Sequence, residues 1–155
     1  MSAQTKQDPA TQDPFLAAFR GSFTSALRWP QLDTLWERVR ERADAGWYLY
    51  HVGEPPPEAP ADADQVGRFI TEIDTLLRAE HQEDYCGIVY ADVLAEPRLI
   101  KIYDPNNLGV SCGYSTNPPL PGWVVSKLPP ADLPASRPAP KGRRRWWQRL
   151  LGASA

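Results

Sequence analysis

DYCGIVYADVLAEPRLIKIYD, residues 84–104, is the stretch on which the fold turns. It reads as two strands, 85–92 and 98–104, joined by a short turn at 93–97. In the second strand Ile100 and Ile102 point to one side and Leu99, Lys101 and Tyr103 to the other, the two-residue alternation of a pleated chain. In the first, Cys86, Ile88 and Tyr90 share one side and Gly87, Val89 and Ala91 the other, so both sides are largely apolar. Such a strand belongs inside a sheet rather than at its edge. The hairpin is therefore expected at the sheet centre, flanked by aromatic-rich WYLYHV (47–52) and by GWVVSKL (122–128).

Upstream of the hairpin the periodicity changes to that of helices. Asp13-Pro14 is a helix start, an N-cap acceptor followed by a proline whose missing N–H costs nothing in the first turn. Phe15, Phe19 and Phe23 then recur every four residues with Leu16 and Leu27 beside them, which predicts a first helix up to Trp29-Pro30. Leu32, Leu35, Trp36 and Val39 predict a second over 31–43. A loop with four prolines, GEPPPEAPADAD (53–64), separates the first strand from a third helix. Asp62 with Gln65 three positions on is a capping box, and Val66, Phe69, Ile70, Ile73, Leu76 and Leu77 run on to about Glu80. A further short strand is possible at 110–115.

The order is helix, helix, strand, helix, strand, strand, an optional strand, strand. It predicts an α+β fold: a mainly antiparallel sheet of four or five strands, with three helices packed on one face. The strand–helix–strand passage leaves room for one parallel pair. The expected organisation is an unstructured segment at 1–12, a single domain over 13–128, a proline-rich solvated linker at 129–142 and a basic amphipathic tail at 143–155.

Charge sharpens that division. All 19 acidic residues precede Leu133, whereas Arg137, Lys141, Arg143, Arg144, Arg145 and Arg149 follow it. Residues 1–136 carry 11 basic groups against those 19 acids, a net of −8, and the remainder carries +6. Nucleic-acid binding by the folded part is disfavoured, because phosphate contacts need basic side chains. There is no apolar leader and no membrane-length apolar run, so the cytoplasm is the expected compartment, with peripheral attachment at the inner face of a membrane a further option.

Candidate chemistry is sparse. Cys112, with His81 as base and Asp104 nearby, is the best available catalytic set, but nothing in the spacing joins them. His51, His81, Cys86 and Cys112 lack the close paired spacing of a zinc site, so no metal and no cofactor is expected. Asp104, Asn106 and Asn107 form a possible ligand loop, although the same residues suit an ordinary turn. The most specific signal is KGRRRWWQRLL, 141–151. Wound as a helix, it gathers Trp146, Trp147, Leu150 and Leu151 on one side, with Arg143, Arg144, Arg145 and Arg149 around them. This suits docking on a partner protein or an anionic membrane surface, or folding back on the chain's own acidic domain. The leading expectation is a small non-catalytic interaction or adaptor module. An enzyme of unknown reaction, or peripheral membrane association alone, is the alternative.

Overall fold

The computed structural model describes residues 13–107, 120–133 and 140–152. Helix α1 (Pro14–Phe19) leads to strand β1 (Thr24–Ser25), helix α2 (Trp29–Glu41) and strand β2 (Tyr48–His51). Helix α3 (Ala63–Glu80), strands β3 (Val89–Ala91) and β4 (Leu99–Ile102), a short 3-10 turn (Pro105–Asn107), strand β5 (Trp123–Ser126) and helix α4 (Arg143–Gly152) follow. This is an α+β fold built on one five-stranded sheet.

The strand order is β1-β3-β4-β5-β2, and every neighbouring pair is antiparallel. No parallel pair forms from the β2–α3–β3 passage, because two strands lie between β2 and β3 and β2 pairs instead with β5. The hairpin's second strand, β4, is the sheet centre; β3 stands between it and the short edge strand β1. Pleat and register then sort the side chains. His51, Trp123, Ile102 and Val89 form one cross-strand row, and Leu49, Val125, Ile100 and Ala91 form the next on the same face. Tyr50, Val124, Lys101, Tyr90 and Ser25 form a row on the opposite face.

Three helices do cover one face, but they are α2, α3 and α4. Leu32, Leu35, Trp36 and Val39 of α2, the apolar stripe of α3, and Trp147 and Leu150 of α4 share one core with the inward sheet rows. Helix α1 crosses to the other side, where Phe15 packs with Tyr50, Val52, Leu99, Val124 and Leu133. It is also shorter than its phenylalanine repeat predicts. The helix is closed at Arg20 and Gly21, whose N–H bonds to the Ala18 carbonyl, and the chain then extends to pair with β3. Phe23 reaches the same far-face cluster as Phe15 and Phe19, from an extended segment rather than from a helix.

Two other boundaries differ from expectation. The regular part of β3 starts only at Val89, because Gly87 takes a left-handed backbone (φ 69°) that interrupts the pleat. The start of the proline-rich segment is not a solvated linker: Leu133 is buried, and its N–H donates to the Tyr50 hydroxyl at 2.7 Å. Burial pushes the Tyr50 phenol upward, with that backbone bond opposing it.

Helix α3 is as its sequence predicts, with the Asp62 carboxylate accepting from Gln65 N–H and the Gln65 side chain accepting from Asp62 N–H. Asp62→Ala is expected to cost about 1 kcal/mol, the usual value of a side-chain N-cap, measured as a shift in the urea midpoint without a change in slope.

Candidate functional site

The basic C-terminal segment does not stand away from the domain. Gly142 turns the chain with φ 88°, the Arg143 N–H bonds to the Pro140 carbonyl, and the helix that follows lies against the sheet face already covered by α3. Its contact surface has a charged end and an apolar middle.

At the charged end Arg143 is held by two carboxylates. Its Nε donates to Asp104 Oδ2 at 2.8 Å and its Nη2 to Asp104 Oδ1 at 3.1 Å. Nη2 also donates to Glu80 Oε1 at 2.6 Å, and Nη1 to Glu80 Oε2 at 3.2 Å. Planar, fork-shaped donors facing two carboxylates are the arrangement only arginine satisfies. The Arg143 and Asp104 side chains are 7% and 3% exposed, so this pair sits inside the protein. Burial works against the charged guanidinium, but the bonds to Asp104 and Glu80 outweigh it and hold its pKa above the usual range. Reciprocally, the bond from Arg143 leads the effects that lower the Glu80 carboxyl, against the opposing pull of burial.

Local structure prepares the acidic half. Glu80 is the last residue of α3, and Asp104 leaves β4 at the head of the 3-10 turn. Asp104 Oδ1 also accepts from the Asn106 N–H, while the Asn106 amide donates to Glu80 Oε1. Gly122 backs onto Asp104 so closely that a Cβ there would lie 3.2 Å from the Asp104 Cβ. A bare backbone at 122 is what lets the carboxylate sit this deep.

The apolar middle is a cluster of rings. Trp147 stands edge-on to Phe69 of α3 with centroids 6.0 Å apart and tilts over His51 at 5.4 Å. His51 stacks on its cross-strand neighbour Trp123 at 5.6 Å, and Trp146 meets Trp123 edge-on at the same distance. His51 Nδ1 and Trp123 Nε1 are buried with no hydrogen-bond partner. At the far end Arg68 of α3 donates to the Leu150 carbonyl, satisfying one acceptor of the last turn. Arg144 pairs with Glu54 at 2.9 Å but is 71% exposed, a contact worth about 0–1 kcal/mol.

The residues singled out from sequence are thus distributed unevenly. Arg143, Trp147 and Leu150 face the domain, Trp146 and Leu151 pack partly against it, and Arg144, Arg145 and Arg149 face outward. Asp104 and Asn106 are engaged in the Arg143 network, and Asn107 ends the 3-10 turn. Cys112 lies outside the described residues, as does the optional strand at 110–115. His81 caps α3, with its Nε2 2.9 Å from the Cys86 carbonyl, and its ring meets Tyr85 and Trp29. Cys86 is buried, and burial pushes its thiol upward. Among the described residues no three His, Cys, Asp or Glu side chains are grouped as metal ligands, and no helix is long and apolar enough to cross a membrane.

Glu80, His51, Phe69 and Trp123 were not picked out from sequence as parts of one site. The usable signal was the segregation of charge, which made the acidic domain a candidate dock for its own tail. No family model, curated protein or solved structure matches the chain.

Proposed function

We propose that the protein is a small non-catalytic, cytoplasmic interaction module, and that α4 in its docked position is the element that meets an acidic protein partner. The observation that carries this reading is the outward face of α4. Arg145 and Arg149, one turn apart, are exposed and have no ion-pair partner among the described residues. Beside them an open cleft of about 190 Å³ is lined by Arg68, Glu72, Trp146, Arg149 and Leu150. Arginine and tryptophan around a small concavity are the side chains that most often anchor protein interfaces. Arg68 and Arg149 give the cleft two cations against the one acid of Glu72, with the half-buried Trp146 ring in its wall, a lining that suits an acidic side chain.

A protein partner is favoured over a lipid surface for a physical reason. Peripheral membrane helices insert their apolar face, and the apolar side of α4, with Trp147 and Leu150, is already occupied by the chain's own domain. The test is Arg145→Glu with Arg149→Glu, which leaves Arg143, Trp147 and Leu150 in place. A protein captured by the unaltered chain, identified and purified, should bind the double variant at least ~tenfold more weakly, with an affinity that falls as salt rises. Equal binding by both forms would remove the outward face from the function. Retention on phosphatidylglycerol vesicles with no protein capture would favour the membrane reading instead.

A further inference from the structure

His51 is the feature under α4 that neither the fold nor the interaction face requires. It is 3% exposed, at the end of β2, with its ring between Trp123 of the same sheet row and Trp147 of the docked helix. Its Nδ1 has no hydrogen-bond partner. In the neutral ring that atom is either an unused acceptor or an unpaired donor; in the imidazolium both ring nitrogens are donors and the ring carries a full charge. A buried charge whose N–H finds no acceptor is what a protein interior disfavours most.

We propose that α4 is a pH-sensitive latch: protonation of His51 loosens the hold of the helix on the sheet, because the imidazolium regains water and a hydrogen-bond acceptor only when Trp147 has left. The charged groups around the ring pull in opposite directions, the two acids more strongly than the two arginines. Glu54 and Asp104 favour the imidazolium, whereas Arg143 and Arg144, brought in by α4 itself, oppose it. Burial is the largest influence and holds the ring below its ordinary value of 6.5. Two tryptophan faces offer the cation some attraction, but they supply no acceptor for Nδ1. The buried Arg143–Asp104 pair does not bar release, because both groups recover hydration when the helix leaves.

The direction follows from linkage. A histidine whose pKa is lower docked than undocked binds its proton more readily in the undocked state. Docking is therefore at full strength above pH 6.5 and weakens as pH falls from there towards the docked-state value. One proton gives at most about a tenfold change in the docking equilibrium per pH unit.

The test is amide hydrogen exchange of residues 146–152 in the full chain between pH 7.5 and 5.5, corrected for intrinsic rates, with α3 amides as the internal reference. Protection of α4 should fall below pH 6.5 while that of α3 holds. His51→Phe keeps a ring between the tryptophans and removes the proton, so its α4 protection should stay level across the same interval. His51→Gln serves the same purpose if the phenylalanine variant does not fold. In the unaltered protein, the His51 ring proton signal followed by NMR should titrate with a midpoint below 6.5, in step with the loss of α4 protection. The proposal is overturned by a midpoint at or above 6.5, by α4 protection that holds to pH 5.5, or by an equal loss in the His51 variant.

Discussion

Arg143→Ala is expected to weaken the docking of α4 by about 3–5 kcal/mol, the range found when one partner of a buried ion pair is deleted and the other stays buried. Asp104 is the residue left exposed to that penalty. It is almost wholly covered, and after the substitution its carboxylate would retain the Asn106 N–H but lose both guanidinium donors. Arg144→Ala is the matched control. It removes an equally short ion pair to Glu54 from a neighbouring position on the same helix, but at the surface, and should change docking by about 0–1 kcal/mol. Adding Asp104→Asn to Arg143→Ala neutralises the stranded charge while keeping an acceptor for Asn106, and should restore part of the loss. Urea unfolding followed by tryptophan fluorescence, with amide exchange of α4 alongside, measures all of these. If Arg143→Ala and Arg144→Ala prove equally mild, the buried network does not hold the helix. The Glu80 contribution has its own pH window. A carboxyl lowered from 4.5 by Arg143 adds stability that is present above that value and lost as pH falls below it, well separated from the histidine range.

How far such a site can be read from sequence depends on the range of the interactions that form it. Helix α3 was legible because its capping box and six apolar positions are all local, and the same holds for the stripe of α2. The faces of β4 were legible because a pleat depends only on the parity of residue number. Strand neighbours were not: β2 pairs with β5, more than 70 positions downstream, and nothing within either strand names the other. Phe15, Phe19 and Phe23 misled because a helix and a helix followed by a strand can present the same three rings to one cluster. The tail shows both sides of this. Its apolar arc and its basic charge were plain from helical geometry, but the dock was not. The dock takes Glu80 from the end of α3, Asp104 from the end of β4 and His51 from β2, which only the completed sheet brings together. Asp104, Asn106 and Asn107 read as an ordinary turn or a possible ligand loop, and an arginine clamp was not distinguishable from either because it needs the same acceptors.

Trp147→Ala is expected to cost about 3–5 kcal/mol of docking, the range for deleting a large buried ring. Its ring packs on three others: Phe69 edge-on, His51 tilted, Trp146 alongside. No rearrangement of one neighbour fills the space of an indole, so the lost contacts are not replaced. The cost has a ceiling, however. A ten-residue helix is marginal in water on its own, so once released α4 unravels and no further change within it matters to the rest of the chain. That ceiling is the net free energy of docking, and a chain ended after residue 139 measures it directly. With Phe69 and Trp123 now uncovered, the shortened chain should still fold on its α2, α3 and sheet core but be less stable and bind hydrophobic dye. Combining Trp147→Ala with Arg143→Ala should therefore bring stability down to that of the shortened chain and no lower. If the chain without α4 does not fold, the helix is an integral part of the folding unit, and a latch that opens by itself is excluded.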